Sequence, residues 1–190
     1  MKPSMLVTPL ILSLAAFVSA GEFRRDIPRA TWEPIFFQSV NDLTHRVGWE
    51  PLRNKSVAAD SLEVRVWIGF GVVPLEAFRL RRDGSQWSAQ HVIDTVQKAG
   101  PANVRAASPK SGWATLWRDL THLGLLTLPD SSALPREEEM ILDGESYVVE
   151  ISQNDSYRTY EYSNPQFQRW PEAKKIVQIV QTLHRELGSR

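Results

Sequence analysis

Residues 62 to 70 constrain the fold more than any other stretch of this 190-residue chain. Leu62, Val64, Val66, Ile68 and Phe70 alternate there with Glu63, Arg65, Trp67 and Gly69. A period of two sends the two sets to opposite sides of an extended strand. One side therefore wants a core, and the other carries charge and a tryptophan. Gly69-Phe70-Gly71 and Pro74 end the run, and Asp83-Gly84 supplies a pair that tolerates positive φ in a tight hairpin turn. With that turn as the centre, Arg82 faces Ser85, Leu80 faces Trp87 and Phe78 faces Ala89, while Arg79 faces Ser88 and Arg81 faces Gln86. A slip of one residue would turn every side chain over.

A second hairpin follows the same logic. Tyr147, Val149 and Ile151 alternate outward from Asp143-Gly144, and Asn154-Asp155 turns the chain so that Val149 opposes Tyr160 and Tyr147 opposes Tyr162. Asn164-Pro165 stops it. Two apolar stripes have helical spacing instead. The first is Trp113, Leu116, Trp117, Leu120 and Leu123, with Ser108 or Ser111 as its cap and Gly124 as its terminator. The second is Ala173, Ile176, Val177, Val180, Leu183 and Leu187, opened by Pro171 and Glu172. Pro101 to Pro109 reads as a linker, and Leu128-Pro129-Asp130 with Glu137-Glu138-Glu139 as a solvated connection. Hairpins plus two one-sided helices predict an α+β domain: an antiparallel sheet with both helices on one face, two layers in all. The alternative is a β-sandwich with peripheral helices.

The start of the chain has another character. Met1-Lys2, an apolar run from Met5 to Val18, and Val18-Ser19-Ala20 together predict an export leader cut between Ala20 and Gly21. The run is too short for a spanning helix, which takes about 20 residues. A periplasmic or secreted location follows. Residues 21–61, broken by Pro28, Pro34 and Pro51, read as an irregular section with one short helix over Ile35 to Val47. Trp32 and Trp49 are expected to tuck it onto residues 62–190, so that both fold as one unit.

Composition narrows the chemistry. The chain has no cysteine, which removes thiol nucleophiles, disulfides and a lipidated anchor. Basic and acidic side chains balance at 22 each, so no long-range field steers the protein to nucleic acid or an anionic bilayer. His45, His91, His122 and His184 lie far apart with no metal-binding spacing, and no GxSxG or complete phosphate-binding loop occurs. His91 is expected inside as a hydrogen-bonded core residue, and Glu150 and Glu161 on an exposed sheet face. No cofactor or metal is implied. The runs Glu63–Gly71 and Tyr157–Pro165 have the look of small exported bacterial proteins, and no catalytic residue carries over from a named family.

The side of the sheet away from the helices is the remaining candidate. Arg65, Trp67, Arg79, Arg81 and Gln90 fall there, with Glu63, Gln86 and Ser88. Guanidinium over an exposed indole is worth about 0.5–1 kcal/mol and leaves donors for carboxylates or sugar hydroxyls. The expected role is a non-catalytic binding or interaction module of the envelope, recognising a protein or a small anionic or carbohydrate ligand. A structural or assembly domain and a hydrolase with dispersed residues are the alternatives. The competing reading of the same face is that residues 21–61 cover it and Trp67 is core.

Overall fold

The computed structural model describes residues 23–28, 33–55, 57–70, 74–94, 102–135 and 144–188. The leader, Trp32, Gly71, Pro101, the Glu137–Glu139 run and Asp143 lie outside them. Besides three short 3-10 turns, the described residues form seven strands and three α-helices: β1 (Arg24–Asp26), α1 (Glu33–Arg46), β2 (Ser61–Gly69), β3 (Leu75–Asp83), β4 (Gln86–Asp94), β5 (Asn103–Ala107), α2 (Trp113–His122), β6 (Ser146–Gln153), β7 (Ser156–Ser163) and α3 (Pro171–Leu187). The strands form one sheet in the order β1-β7-β6-β2-β3-β4-β5, antiparallel except where β1 joins β7. The fold is α+β, and one continuous sheet replaces the sandwich alternative.

β2 lies at the centre, paired with β3 on one side and β6 on the other. Leu62, Val64, Val66 and Ile68 point to the face covered by α2 and α3, where they meet Leu116, Leu120, Ile176, Ile179 and Leu183. Burying a side chain of this kind contributes about 1.5–3 kcal/mol. Tyr160 and Tyr162 share that face and satisfy their hydroxyls on the Leu125 and Pro129 carbonyls at 2.7 and 2.8 Å. They pin the segment after α2, so Leu128 is core and not part of a solvated connection. Asp130 accepts the Glu161 N–H at 2.9 Å, covering a β7 edge group that β1 does not reach.

The two hairpin turns differ in outcome. Asn154 and Asp155 both take positive φ, and Val149 opposes Tyr160 and Tyr147 opposes Tyr162, as the turn residues require. At the first hairpin the loop is Gly84-Ser85, with Asp83 paired to Gln86. Leu80 therefore faces Ala89 and Phe78 faces His91, two residues away from the expected register. Only Gly84 of the pair has positive φ, which suits a Gly-first turn and not one with two left-handed residues. A shift of two keeps every side chain on its expected face.

Three further expectations need correction. The stretch read as a linker holds β5, whose five residues are too few to show an alternation. The residue capping α2 is Gly112, with no side-chain cap, and the Ser111 N–H just before it donates at 2.9 Å to the Glu186 carboxylate of α3. The section before β2 is also more regular than expected. It contributes β1, and α1 lays Phe36, Phe37, Val40 and Leu43 on the face opposite α2 and α3. The two expected layers thereby gain a third. Arg46 at the end of α1 is ion-paired with Asp94 at the end of β4.

Candidate functional site

The face beneath α1 is built from three cross-strand rows. The first is apolar: Val148, Trp67, Ala77 and Val92 stand in register across β6, β2, β3 and β4. The next is Thr159, Glu150, Arg65, Arg79 and Gln90, and the third is Tyr157, Ser152, Glu63, Arg81 and Ser88. The pairing thus brings Arg65, Trp67, Arg79, Arg81 and Gln90 onto one side of the sheet. It does not leave them in water. Trp67 and Arg65 are 0% exposed and Glu63 is 1% exposed, because Trp49, Leu52 and α1 lie over them. The exposed ligand face is corrected to an interior face, and only its margin, with Arg79, Arg81, Ser88 and Gln90, reaches solvent. Spacing alone showed the two sides of β2 to be different; it did not show which element covers the second.

Charge inside this face is organised around Glu63. Its Oε1 accepts from Arg65 Nε at 2.9 Å, Arg65 Nη2 at 2.7 Å and Arg79 Nε at 2.7 Å, while its Oε2 accepts from Arg79 Nη2 at 3.1 Å. Burial alone would raise the Glu63 pKa, but the two guanidiniums lower it to about 2. Arg79 Nη1 also donates to Gln90 Oε1 at 3.2 Å. The Trp49 ring lies 5.1 Å from both guanidinium carbons and 6.0 Å from the Trp67 ring.

Glu150 is buried, not exposed. Its oxygens accept from Trp67 Nε1 at 2.7 Å and the Tyr157 hydroxyl at 2.8 Å. Burial raises its pKa, against the pull of Arg65 and these two donors. Glu161 is buried too, and accepts from Ser146 Oγ at 3.0 Å. Burial, aided by nearby Asp130, carries its pKa to about 7 despite that hydrogen bond. The expectation of two solvated carboxylates on an exposed face fails for both: Glu150 lies among side chains of the third layer's core, as Trp67 does, and Glu161 is buried beside Ser146 and Asp130.

Two further polar groupings lie on the α2/α3 side. The Glu76 carboxylate bridges His91 Nε2 at 2.5 Å and His184 Nε2 at 3.0 Å. Phe78 stacks on the His91 ring at 4.5 Å and meets the edge of His184 at 5.1 Å. Burial would raise the Glu76 pKa, but the two imidazoles lower it to about 2, and Glu76 in turn raises that of His184. His91 is a core histidine with a partner. Sequence reading did not connect it to His184, since 93 positions separate them and only the packing of α3 brings them together.

The second grouping is an open groove of about 590 Å³ between α2 and α3, lined by Arg118, Asp119, His122, Leu123, Gln178, Gln181, Thr182 and Arg185. Gln178, Gln181, Thr182 and Arg185 recur at helical spacing beside the apolar stripe of α3, and Arg118 and His122 stand one turn apart on α2. Among the described residues both arginines pair with acidic neighbours in sequence, Arg118 with Asp119 at 2.8 Å and Arg185 with Glu186 at 3.2 Å. The Arg118 pair is exposed, and such pairs are worth about 0–1 kcal/mol; Arg185 is itself 60% exposed although Glu186 is buried, so a ligand can reach either guanidinium. Polar residues just outside a packing stripe read as a solvated helix face, and the groove becomes visible only when the helices lie side by side.

Among the described residues no group of three acidic or histidine side chains is arranged to hold a metal ion, and no helix is long and apolar enough to cross a membrane. No protein-family model, curated protein or solved structure matches the chain.

Proposed function

We propose that this protein is an exported, non-catalytic binding module of the bacterial envelope that takes its ligand in the α2–α3 groove. The observation carrying this reading is the groove itself: two guanidiniums, an imidazole, two amides and a hydroxyl, with the single carboxylate of Asp119, line about 590 Å³. Small-molecule sites are about 300–1,000 Å³ with a few convergent polar groups. Guanidinium forks match carboxylates, and amides with a threonine hydroxyl match sugar hydroxyls. The fitting ligand is an acidic saccharide. Export is supported by Met1-Lys2, the apolar run to Val18 and the Val18-Ser19-Ala20 cleavage pattern.

A hydrolase would need a shifted carboxyl opening into a cleft. Glu161, near 7, has the shift, but it is not among the groove's lining residues and lies on the α1 side of the sheet.

Amide NMR of the protein from Gly21 onward, titrated with an oligogalacturonate, tests the binding half. Shifts should concentrate at Gln178, Gln181 and Arg185, and Arg118→Ala/Arg185→Ala should weaken binding by tenfold or more. Shifts elsewhere, or none, would refute the groove. N-terminal sequencing of the protein expressed with its leader in a bacterium tests export: Gly21 is the expected first residue, and a retained Met1 would refute it.

A further inference from the structure

A buried guanidinium nitrogen in the arginine row has no acceptor among the described residues. Among the described residues Nη1 of Arg65 has no hydrogen-bond partner, although the Arg65 side chain is fully buried. The other such nitrogen among the described residues, Nε of Arg82, belongs to a partly exposed side chain beside Trp87. A donor buried without an acceptor is costly, more so when it carries charge. Such a group calls for a partner.

The surroundings say what kind. Arg65, Arg79 and Lys55 all reach one buried carboxylate, Glu63, with Lys55 Nζ 3.5 Å from its Oε2 and 3.8 Å from Oε2 of the exposed Glu50. The nearest other acid in register, Glu150, spends both oxygens on neutral donors, Trp67 and Tyr157, and offers none to Arg65 Nη1. Three cationic side chains thus share the one buried carboxylate of Glu63, and Arg65 Nη1 is left over. Trp49 flanks both guanidiniums. The Arg79 and Lys55 side chains are 17% and 25% exposed, which gives the row an opening to solvent.

We propose that this row is a second binding site, across the sheet from the α2–α3 groove and independent of it, that holds a small oxyanion. Arg65 Nη1 is its most buried donor, Arg79 and Lys55 are the donors nearest solvent, and Trp49 forms its wall. The group bound is a carboxylate or a phosphate. Both accept from several N–H donors at once, as a guanidinium-rich site requires.

Trp49 provides the readout. The protein is titrated with sodium acetate, inorganic phosphate or sodium chloride at constant ionic strength, because screening alone alters exposed charges. The expected result is a saturable change in tryptophan emission with acetate or phosphate and none with chloride. A rise in Tm should accompany it, since a ligand of the folded state stabilises that state. Response to acetate alone assigns a carboxylate, and to phosphate alone a phosphoryl group. Trp49→Phe should abolish the emission change while keeping the Tm rise. Lys55→Gln, on the partly exposed side of the row, should weaken binding about three- to tenfold while leaving the unliganded fold intact. Equal responses to all three salts would overturn the proposal. So would saturable binding that Lys55→Gln leaves unchanged, because the anion would then sit elsewhere. Arg118→Ala/Arg185→Ala should have no effect here, so the groove and the row succeed or fail separately.

Discussion

Along β2 the side chains turned toward α2 and α3 are Leu62, Val64, Val66 and Ile68, and those turned toward α1 are Glu63, Arg65 and Trp67; all seven are buried. The first set meets aliphatic and aromatic side chains, and its stability comes from removing apolar area from water. The second encloses an ion cluster beneath Trp49 and Leu52, where desolvation works against every charge and only close pairing offsets it. The contrast shows that a polar strand face is not a solvent face when a separate segment of chain can cover it.

The sharpest way to break this comparison is to remove the carboxylate on which the second face depends. Glu63→Gln leaves Arg65 and Arg79 without their shared anion and should cost about 3–5 kcal/mol in urea unfolding. An unchanged midpoint would mean that water reaches the cluster and that the two faces are less different than their burial indicates. On the dry face, Leu183→Ala should cost about 2–5 kcal/mol in the same assay, the range for an aliphatic core truncation. A loss under 1 kcal/mol would show α3 to be loosely packed.

Titration sharpens the comparison further, because each face holds a depressed carboxylate and a raised group. Glu63 and Glu76 fall from 4.5 to about 2 on folding, so their contributions are complete above 4.5 and are lost as pH falls toward 2. Glu161 rises from 4.5 to about 7, so its contribution is present below 4.5 and is lost as pH climbs through 7. His184 rises from 6.5, and its contribution is present below 6.5 and lost above its raised value. Urea midpoints measured across pH should therefore decline on both sides of a mildly acidic maximum. Glu161→Gln should flatten the decline between 4.5 and 7, and His184→Gln the decline above 6.5. Two variants with the wild-type profile would sink these assignments.

The smallest effect is expected at the margin. Arg81 is 44% exposed and pairs with a neighbour on its own strand, Asp83, at 2.7 Å. Arg81→Ala should shift stability by no more than about 0.5 kcal/mol. A larger loss would show the buried charge network extending to the surface.

Much of the fold was legible in the sequence because local chemistry decides it. Asn154-Asp155 accept positive φ at adjacent positions, and that alone determined the β6–β7 register. Pro171, Glu172 and the spacing of Ala173, Ile176, Val180 and Leu183 marked α3 from its first residue. The misread register at β3–β4 has an equally local cause, since Asp83-Gly84 and Gly84-Ser85 both make acceptable turns, and cross-strand packing selects between them. β5 was hidden because five residues between prolines carry too little alternation to register.

The candidate sites divide in the same way. Membership of the α1-side face followed from periodicity, and Arg65, Trp67, Arg79, Arg81 and Gln90 do share it. Their exposure did not follow, because it depends on where Phe36, Val40, Leu43 and Trp49 land, and those residues are distant in sequence from everything they cover. The Glu76–His91–His184 bridge and the α2–α3 groove are likewise products of helix placement. The sequence by itself determined which side chains stand together on each face, since the backbone repeats of strand and helix are short-range properties. Only the tertiary structure decided which faces meet water, because covering a face requires contacts between segments far apart along the chain, and local patterning carries no record of them.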